Sequence, residues 1–244
     1  ISDNNIIRNI AEFLFEKEYY KEALETYLSF ESEGEVSYEI FEKIAYCYQQ
    51  LNNFDLALKY YKQAELFGTN SGWILKKIAY CYRHLKDHKQ AIKYYSEVEK
   101  LEPENLFIQT SIGHCYLDME DYKKALQYYF KVELEASDNY KILRPIAWCL
   151  FIQGKLDEAL KYLLRIDEKQ YNHYDLMNIG HIELCKGNTD KAISYYIRSI
   201  NYKDNSYKGF MLSFEEDKKY LLLNGYNEED IPLLIDYLKY ELKG

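Results

Sequence analysis

Helix-breaking residues are scarce in this sequence. Its 244 residues include only 3 prolines and 10 glycines, which favours a chain that is nearly all helix because both residues are disfavoured in helix interiors. The glycines form neither GxGxxG nor GxxxxGKS/T, and the 5 histidines form no HExxH pair. The sequence therefore predicts no phosphate-binding loop and no two-histidine zinc site. We expect no enzymatic activity, no cofactor and no metal.

Long apolar runs and an excess of positive charge are also lacking. No stretch of 18 apolar residues is present, so no transmembrane helix is predicted. The 40 acidic side chains outnumber the 31 basic ones and leave a net charge of −9. Nucleic acids and anionic membranes need a basic surface, so neither is an expected partner.

What the sequence does contain is a repeat. The segment from Leu75 to Pro103 has two amphipathic runs on either side of a polar turn, which predicts a helical hairpin. A small residue recurs in each second run, at Ala23, Ala57, Ala91, Ala125, Ala159 and Ala192. Small residues of the first runs recur in step, at Ala11, Ala45, Ala79, Gly113, Ala147 and Gly180. Four residues after each second-run alanine stand Tyr27, Tyr61, Tyr95, Tyr129, Leu163 and Tyr196.

This pattern, from about Asn5 to Ile200, resembles the tetratricopeptide repeat (TPR) family, whose unit is a helix-turn-helix of 34 residues. The resemblance implies an all-α fold, an α-solenoid that forms a right-handed superhelix of six hairpins. The array would occupy residues 1–200, with repeats at about 4–37, 38–71, 72–105, 106–139, 140–172 and 173–200. Residues 201–244 lie outside the repeat and are predicted to be a helical C-terminal cap.

The same resemblance implies a concave groove lined by the first helix of each repeat. The residues predicted to bind there are Trp73, Lys76, Tyr80, Arg83, His84, Phe107, His114, Arg144, Trp148 and His181. Aromatic rings next to cations suit an extended peptide with acidic or aromatic side chains. We therefore interpret the chain as a non-catalytic scaffold for a protein or peptide. Replacing Lys76, Arg83 and Arg144 by Glu is expected to abolish binding without unfolding the chain.

Three alternatives stay open at this point. The aromatic residues at groove positions can instead pack between neighbouring first helices. The array can also be a structural or self-assembly segment of a larger repeat protein. An RNA-binding helical repeat of similar period is a third alternative, but the net charge of −9 disfavours it.

The cysteines follow the repeat as well. Cys47, Cys81, Cys115 and Cys149 are 34 residues apart, and equivalent positions of neighbouring hairpins lie roughly 10 Å apart, too far for one zinc ion. We interpret these four as small packing residues, and only Cys185 is out of register. The odd total of 5 cysteines favours reduced thiols and hence the cytoplasm.

The chain begins at Ile1 rather than Met, so a signal segment would not be visible.

Two local features depart from the repeat. Pro145 falls inside the first helix of the fifth repeat and predicts a kink or a shortened first turn, since proline in a helix interior costs about 3 kcal/mol. In the tail, Ser213 and Glu216 are predicted to form a capping box, and the pair Asn224-Gly225 to end that helix.

A last helix is predicted to follow a cap at Asp230, with Pro232 in its first turn. Its apolar stripe is Ile231, Leu234, Ile235, Leu238 and Leu242. This stripe either seals the open side of the sixth repeat or docks on another molecule.

Overall fold

A computed structural model describes residues 3–32, 34, 37–67, 72–136 and 139–243 of the chain. These ranges contain α-helices and two short 3-10 turns but no strand, so the all-α class is confirmed. The helices are α1 (Asp3–Glu16), α2 (Tyr20–Ser32), α3 (Tyr38–Gln50), α4 (Phe54–Glu65), α5 (Gly72–His84), α6 (His88–Leu101), α7 (Leu106–Asp118), α8 (Tyr122–Glu135), α9 (Tyr140–Ile152), α10 (Leu156–Leu164), α11 (His173–Cys185), α12 (Thr189–Ile200), α13 (Tyr207–Leu223) and α14 (Ile231–Glu241).

The turn that follows each first helix has the same backbone geometry. Its left-handed residues are Glu18, Asn52, Lys86, Glu120, Gly154 and Gly187, with φ between 59° and 79°. After α3, for example, the N–H of Asn53 donates to the carbonyl of Tyr48 at 2.9 Å, and that of Asn52 to Gln49 at 3.0 Å. This pair of bonds is the Schellman motif, which satisfies the last carbonyls of a helix with backbone donors. One turn geometry therefore serves the whole repeat.

The chain forms two compact units, Ile1–Asp121 and Tyr122–Gly244, here called unit 1 and unit 2. In unit 1 the small residues of facing helices, such as Ala45 and Ala57, have no exposed surface. Their size lets the two backbones approach closely. The tyrosine four residues later is buried too: Tyr61 has no exposed surface, and its hydroxyl donates to Gln49 Oε1 at 3.0 Å. Within the unit each hairpin packs beside the next, as in an α-solenoid.

Unit 2 repeats this core and adds two helices. Ala159 and Ala192 have no exposed surface, and neither does Tyr196. At its end α14 packs against α12 and buries Ile231, Leu234 and Leu238. These contacts agree with the interpretation that the last helix covers the sixth repeat.

The start of α13 differs from the prediction. The helix begins at Tyr207, and the side chain of Ser206 accepts a hydrogen bond from the N–H of Gly209 at 3.1 Å. Ser213 therefore lies inside the helix, and the predicted capping box at Ser213 and Glu216 is wrong. The apolar side chains of Phe210 and Phe214, both buried, stabilise the longer helix.

The predicted end of α13 and the predicted start of α14 agree with the structure. Helix α13 ends at Asn224-Gly225 as predicted, with Gly225 at a φ of 87°. Asp230 stands at the N-cap position of α14, but its side chain makes no capping bond.

Pro145 does not shorten its helix. Helix α9 runs from Tyr140 through Pro145 to Ile152, and its 13 residues match the length of α3, α5, α7 and α11. Apolar residues on both sides of the proline are buried: Ile142, one turn before it, is 1% exposed, and Ile146, directly after it, is 0% exposed. Packing on both sides offsets the single missing hydrogen bond, so the prediction of a shortened first turn is wrong.

Within the part of the chain that the structure describes, no helix combines the length and the apolar character needed to cross a bilayer.

The buried alanines give a first prediction. Ala91 has no exposed surface, so Ala91→Leu should overpack the hairpin and lower the free energy of unfolding by about 1 to 3 kcal/mol. Lys93, on the exposed side of the same helix, is the matched control, and Lys93→Ala should change it by no more than about 0.5 kcal/mol. Urea denaturation of both variants measures the difference. Equal effects would show that the two sides of α6 are misassigned.

Candidate peptide-binding surfaces

In unit 1, Lys77 of α5 lies between two aromatic rings that belong to neighbouring first helices. Lys77 Nζ lies 4.8 Å from the ring centroid of Tyr46 and 5.2 Å from that of Trp73. Trp73 is 37% exposed and meets Tyr61 edge-on, with the ring centroids 6.0 Å apart. Burial lowers the pKa of Lys77, and ring faces attract a cation that has lost part of its water. We call Tyr46, Trp73 and Lys77 the aromatic–lysine cluster.

Sequence reasoning named Lys76 and missed Lys77. Lys76 Nζ lies 2.8 Å from Glu102 Oε2 and so connects α5 to the residue that ends α6. The hydrogen bond from Lys76 holds the pKa of Glu102 below its ordinary value. Lys76 thus already has a carboxylate partner. The i, i+4 spacing of Trp73 and Lys77 was the signal that could have pointed to the right lysine.

A second aromatic group lies further along α5. The ring of His84 stacks on that of Phe54, with centroids 4.1 Å apart and planes 10° apart, and the ring of Tyr80 lies 4.3 Å from His84 and 6.0 Å from Phe54. Burial, with help from Arg83, lowers the pKa of His84. At neutral pH this histidine is therefore an uncharged aromatic plate.

Arg83 is near a carboxylate of the next first helix. Its Nε lies 3.9 Å from Asp118 Oδ2, and the same oxygen lies 3.7 Å from His88 Nδ1. Both side chains of the Arg83–Asp118 pair are about a third exposed, so water weakens the attraction. Arg83 can exchange this partner for a ligand carboxylate at little cost.

The remaining predicted residues of unit 1 lie on α7. Phe107 is 60% exposed. His114 is half-buried, and burial, reinforced by Arg83, lowers its pKa to about 4. His114 is therefore neutral at pH 7 and contributes no positive charge.

Arg144, in unit 2, stabilises the fold through hydrogen bonds to Asp175 and Gln170. Its Nε and one terminal nitrogen donate to the two carboxylate oxygens of Asp175 at 2.7 and 2.8 Å, and it also donates to the carbonyl of Gln170 at 2.7 Å. Asp175 is only 1% exposed. Arg144→Glu would place a second carboxylate beside this buried one. The expectation that this change leaves the fold intact therefore does not hold.

Helix α13 covers the predicted groove positions of unit 2. Tyr220 meets Trp148 edge-on with centroids 5.2 Å apart, and Asn224 Nδ2 donates to the carbonyl of Phe151 at 3.0 Å. Phe214 lies 5.6 Å from the ring of His181. The tail therefore does more than seal the end of the array, because it also lies over side chains of α9 and α11.

His181, which was predicted to bind a peptide, lies in the core instead. It has no exposed surface, its Nδ1 lies 2.8 Å from the hydroxyl of Tyr196, and its Nε2 lies 3.5 Å from Asp217 Oδ2. A peptide cannot reach this side chain in the structure. The signal that could have revealed this is the spacing of Phe210, Phe214 and Leu221, all buried, which gives α13 an apolar side of its own.

The cysteines sit in the core. Cys47, Cys81, Cys115 and Cys149 have no exposed surface, and burial raises the pKa of each thiol to about 12. Cys185, the out-of-register one, is half-buried, and burial raises its pKa to about 11. All five are thus protonated at neutral pH and poor nucleophiles. Across the described ranges no three His, Cys, Asp or Glu side chains are grouped as metal ligands.

Sequence families match three segments of the chain. Residues 38–65 and 111–173 match families described as "Tetratricopeptide repeat". Residues 69–132 match the family described as "Anaphase-promoting complex, cyclosome, subunit 3". No curated protein matches the sequence of this chain.

Several solved structures share the fold at low sequence identity. PilF of Pseudomonas aeruginosa is 15% identical to this chain, with a TM-score of 0.65. The match covers 86% of this chain and 96% of PilF. The C-terminal part of a TPR protein of Cytophaga hutchinsonii is 18% identical, with a TM-score of 0.66. The match covers 88% of this chain and 84% of that structure. YrrB, described as a TPR protein with an unusual peptide-binding site, is 18% identical, with a TM-score of 0.60. The match covers 78% of this chain and 97% of YrrB.

The low pKa of His114 predicts a pH-dependent stability. Below its ordinary value of 6.5 the unfolded chain takes up a proton that the folded chain refuses until about pH 4. The free energy of unfolding should therefore fall as pH drops from 6.5 towards 4, by at most about 1.4 kcal/mol per pH unit from this group. Urea denaturation at several pH values should show a shallower slope for His114→Gln. Identical slopes for the two proteins would contradict the assignment.

The buried pair of unit 2 predicts a large loss of stability. Arg144→Gln leaves the buried carboxylate of Asp175 unpaired and should lower the free energy of unfolding by about 3 kcal/mol. Lys141→Gln, at an exposed position of the same helix, is the control and should be nearly neutral. Asp175→Asn in the Arg144→Gln background should recover part of the loss, since it removes the buried charge. A loss below about 1 kcal/mol for Arg144→Gln would mean that the pair does not hold α9 to α11.

Proposed function

Because this chain belongs to the tetratricopeptide repeat family, we propose that it is a non-catalytic scaffold that binds a protein partner through first-helix side chains of unit 1. Support comes from the aromatic–lysine cluster, which keeps Trp73 37% exposed beside a partly dehydrated cation. YrrB, described as a TPR protein with an unusual peptide-binding site, supports the same kind of function. The protonated thiols fit a role without nucleophilic chemistry.

The proposed site is confined to unit 1. It comprises Tyr46, Trp73, Lys77, Tyr80, Arg83 and His84, with Phe107 and His114 on the next first helix. The predicted residues of unit 2 are left out for separate reasons. Arg144 holds Asp175, while α13 contacts Trp148 and encloses His181.

The chemistry of the site favours a peptide with an acidic and an aromatic or apolar side chain. Burial has removed part of the water around Lys77, so a carboxylate that reaches it forms a stronger pair than it would with a fully hydrated lysine. Trp73 and Tyr46 offer ring surface of the kind that anchors peptide side chains. Arg83, loosely paired with Asp118, supplies a second carboxylate partner.

Selection from a random peptide library displayed on phage tests this proposal. The full chain should enrich peptides that contain both acidic and aromatic residues. Trp73→Ala and Lys77→Glu should each weaken the selected peptides at least about tenfold, the effect of losing one binding hot spot of about 1.4 kcal/mol. Isothermal titration calorimetry gives the affinities, and circular dichroism verifies that the variants are folded.

Lys93→Glu is the matched control, because Lys93 is exposed on a second helix and should leave binding unchanged. The proposal fails if the selected peptides bind the Trp73 and Lys77 variants as tightly as the original chain. It also fails if no peptide is enriched.

A further inference from the structure

A buried tyrosine recurs at one position of the second helices, and in three hairpins its hydroxyl is paired with the first helix of the same hairpin. In the first hairpin, Tyr27 donates to Glu12 Oε1 at 3.2 Å. In the second, Tyr61 donates to Gln49 Oε1 at 3.0 Å. Both hydroxyls thus have an acceptor oxygen that a first-helix side chain supplies.

The sixth hairpin uses a longer series of polar groups. The hydroxyl of Tyr196 lies 2.8 Å from His181 Nδ1, and His181 Nε2 lies 3.5 Å from Asp217 Oδ2. His181 has the same position in the repeat as Glu12. Asp217 belongs to α13, which lies over side chains of α9 and α11. A carboxylate from the element that covers these first helices therefore stands at the end of the series.

The third hairpin provides no such acceptor among the described residues. Tyr95 is 1% exposed, and its hydroxyl forms no hydrogen bond with any residue that the structure describes. Ser111 is near it, but the hydroxyl of Ser111 donates to the carbonyl of Phe107 at 2.8 Å. A buried hydroxyl without a partner has lost the hydrogen bonds that it makes in water. An acceptor from outside the chain would restore one of them.

The repeat register explains why the acceptor is missing. Arg83 stands where α3 has Gln49, and an arginine side chain carries donors only. Tyr80 stands where α1 has Glu12, and its ring packs against that of His84 with centroids 4.3 Å apart. Neither residue replaces the oxygen that the other hairpins provide.

A loosely held cation lies near the unpaired hydroxyl. Burial raises the pKa of Tyr95, and the positive charge of Arg83 acts on the same group in the opposite direction. The hydroxyl therefore keeps its proton at neutral pH and can donate it in a hydrogen bond. Arg83 is a third exposed, and its Nε lies 3.9 Å from Asp118 Oδ2. An unpaired donor and a weakly engaged cation thus occur together at the third repeat.

We propose that a carboxylate of the ligand binds at this place, where it accepts a hydrogen bond from the Tyr95 hydroxyl and pairs with Arg83. The proposal rests on the function proposed above for unit 1, and it states where the acidic side chain of the peptide lies. One carboxylate has two oxygens and accepts from both donors at once. The ligand does for the third hairpin what Glu12 does for the first.

Binding requires Arg83 to change its partner. The Tyr95 hydroxyl has almost no exposed surface in the free chain, so Arg83 turns from Asp118 towards the entering carboxylate. The Arg83–Asp118 pair is open to water and too long for a hydrogen bond, so its loss costs little. The new pair forms next to a buried group, where less water weakens it.

The stability of the free chain tests whether the hydroxyl is unpaired. Tyr95→Phe removes a group without a hydrogen bond, so the urea midpoint should stay the same or rise. Tyr196→Phe is the matched control in unit 2, and it should lower the midpoint because its hydroxyl is bonded. Arg83→Gln places an amide oxygen where α3 has Gln49, and Tyr95→Phe in that background should lower the midpoint.

Two results of this experiment would overturn the proposal. One is a fall for Tyr95→Phe as large as that for Tyr196→Phe, since the hydroxyl would then already be bonded in the free chain. The other is no fall for Tyr95→Phe in the Arg83→Gln background, since the hydroxyl would then not face residue 83.

Binding is measured by fluorescence anisotropy with the full chain and labelled copies of the peptides enriched in the phage selection. Tyr95→Phe should weaken them at least about tenfold, the effect of losing a hydrogen bond to a charged group. Tyr196→Phe should leave their binding unchanged. Replacing the acidic residue of a peptide by its amide should weaken binding to the unchanged chain, with a much smaller effect on binding to Tyr95→Phe.

The outcomes separate this proposal from the function on which it rests. Peptides that depend on Trp73 and Lys77 but bind Tyr95→Phe as tightly as the unchanged chain place the carboxylate elsewhere. This proposal is then overturned, whereas the scaffold function stands. If no peptide is enriched, both are overturned.

Discussion

The close approach of small residues in each hairpin is the constraint on which the rest of the structure depends. Ala45 of α3 and Ala57 of α4 have no exposed surface, and the two helices pack together with Tyr61 enclosed. A hairpin built this way is too thin to bury both of its sides. Within each unit the next hairpin supplies the missing cover, and where the series stops, another element must do so. In unit 2, helices α13 and α14 supply such cover for α9, α11 and α12.

The periodic features could be predicted from sequence because they are local and occur several times. The hairpins, the buried cysteines and the covering role of α14 all follow from apolar spacing. The turns gave a weaker signal, since Glu18, Asn52, Lys86 and Glu120 adopt a left-handed conformation in which glycine is the usual residue. The position of α13 over Trp148 and His181 depends on contacts between distant parts of the sequence. Periodicity says nothing about such contacts, nor about which of Lys76 and Lys77 meets Glu102.

The two units use the side chains of their first helices in different ways. In unit 2, Trp148 and His181 are packed against the chain's own tail, and Arg144 is engaged by Asp175. In unit 1, Trp73, Lys77 and His84 remain at the surface. An arginine or lysine at a groove position is therefore no guide to binding by itself, because the pairing of Lys76 and Arg144 with acidic residues already accounts for both. The half-buried lysine between aromatic rings is the better guide, even in a protein with a net charge of −9.

The shared turn has a consequence for how such a chain can change over time. Its hydrogen bonds join backbone to backbone, from Asn53 to Tyr48 and from Asn188 to Glu183, each at 2.9 Å. The side chain at the bend can therefore differ between repeats, and the left-handed position holds glutamate, asparagine, lysine or glycine. A non-glycine residue there carries a conformational penalty of roughly 1 kcal/mol, small enough for drift to spread lysine, glutamate and asparagine among the copies. Selection can then act on the helix surfaces while the bends stay geometrically the same.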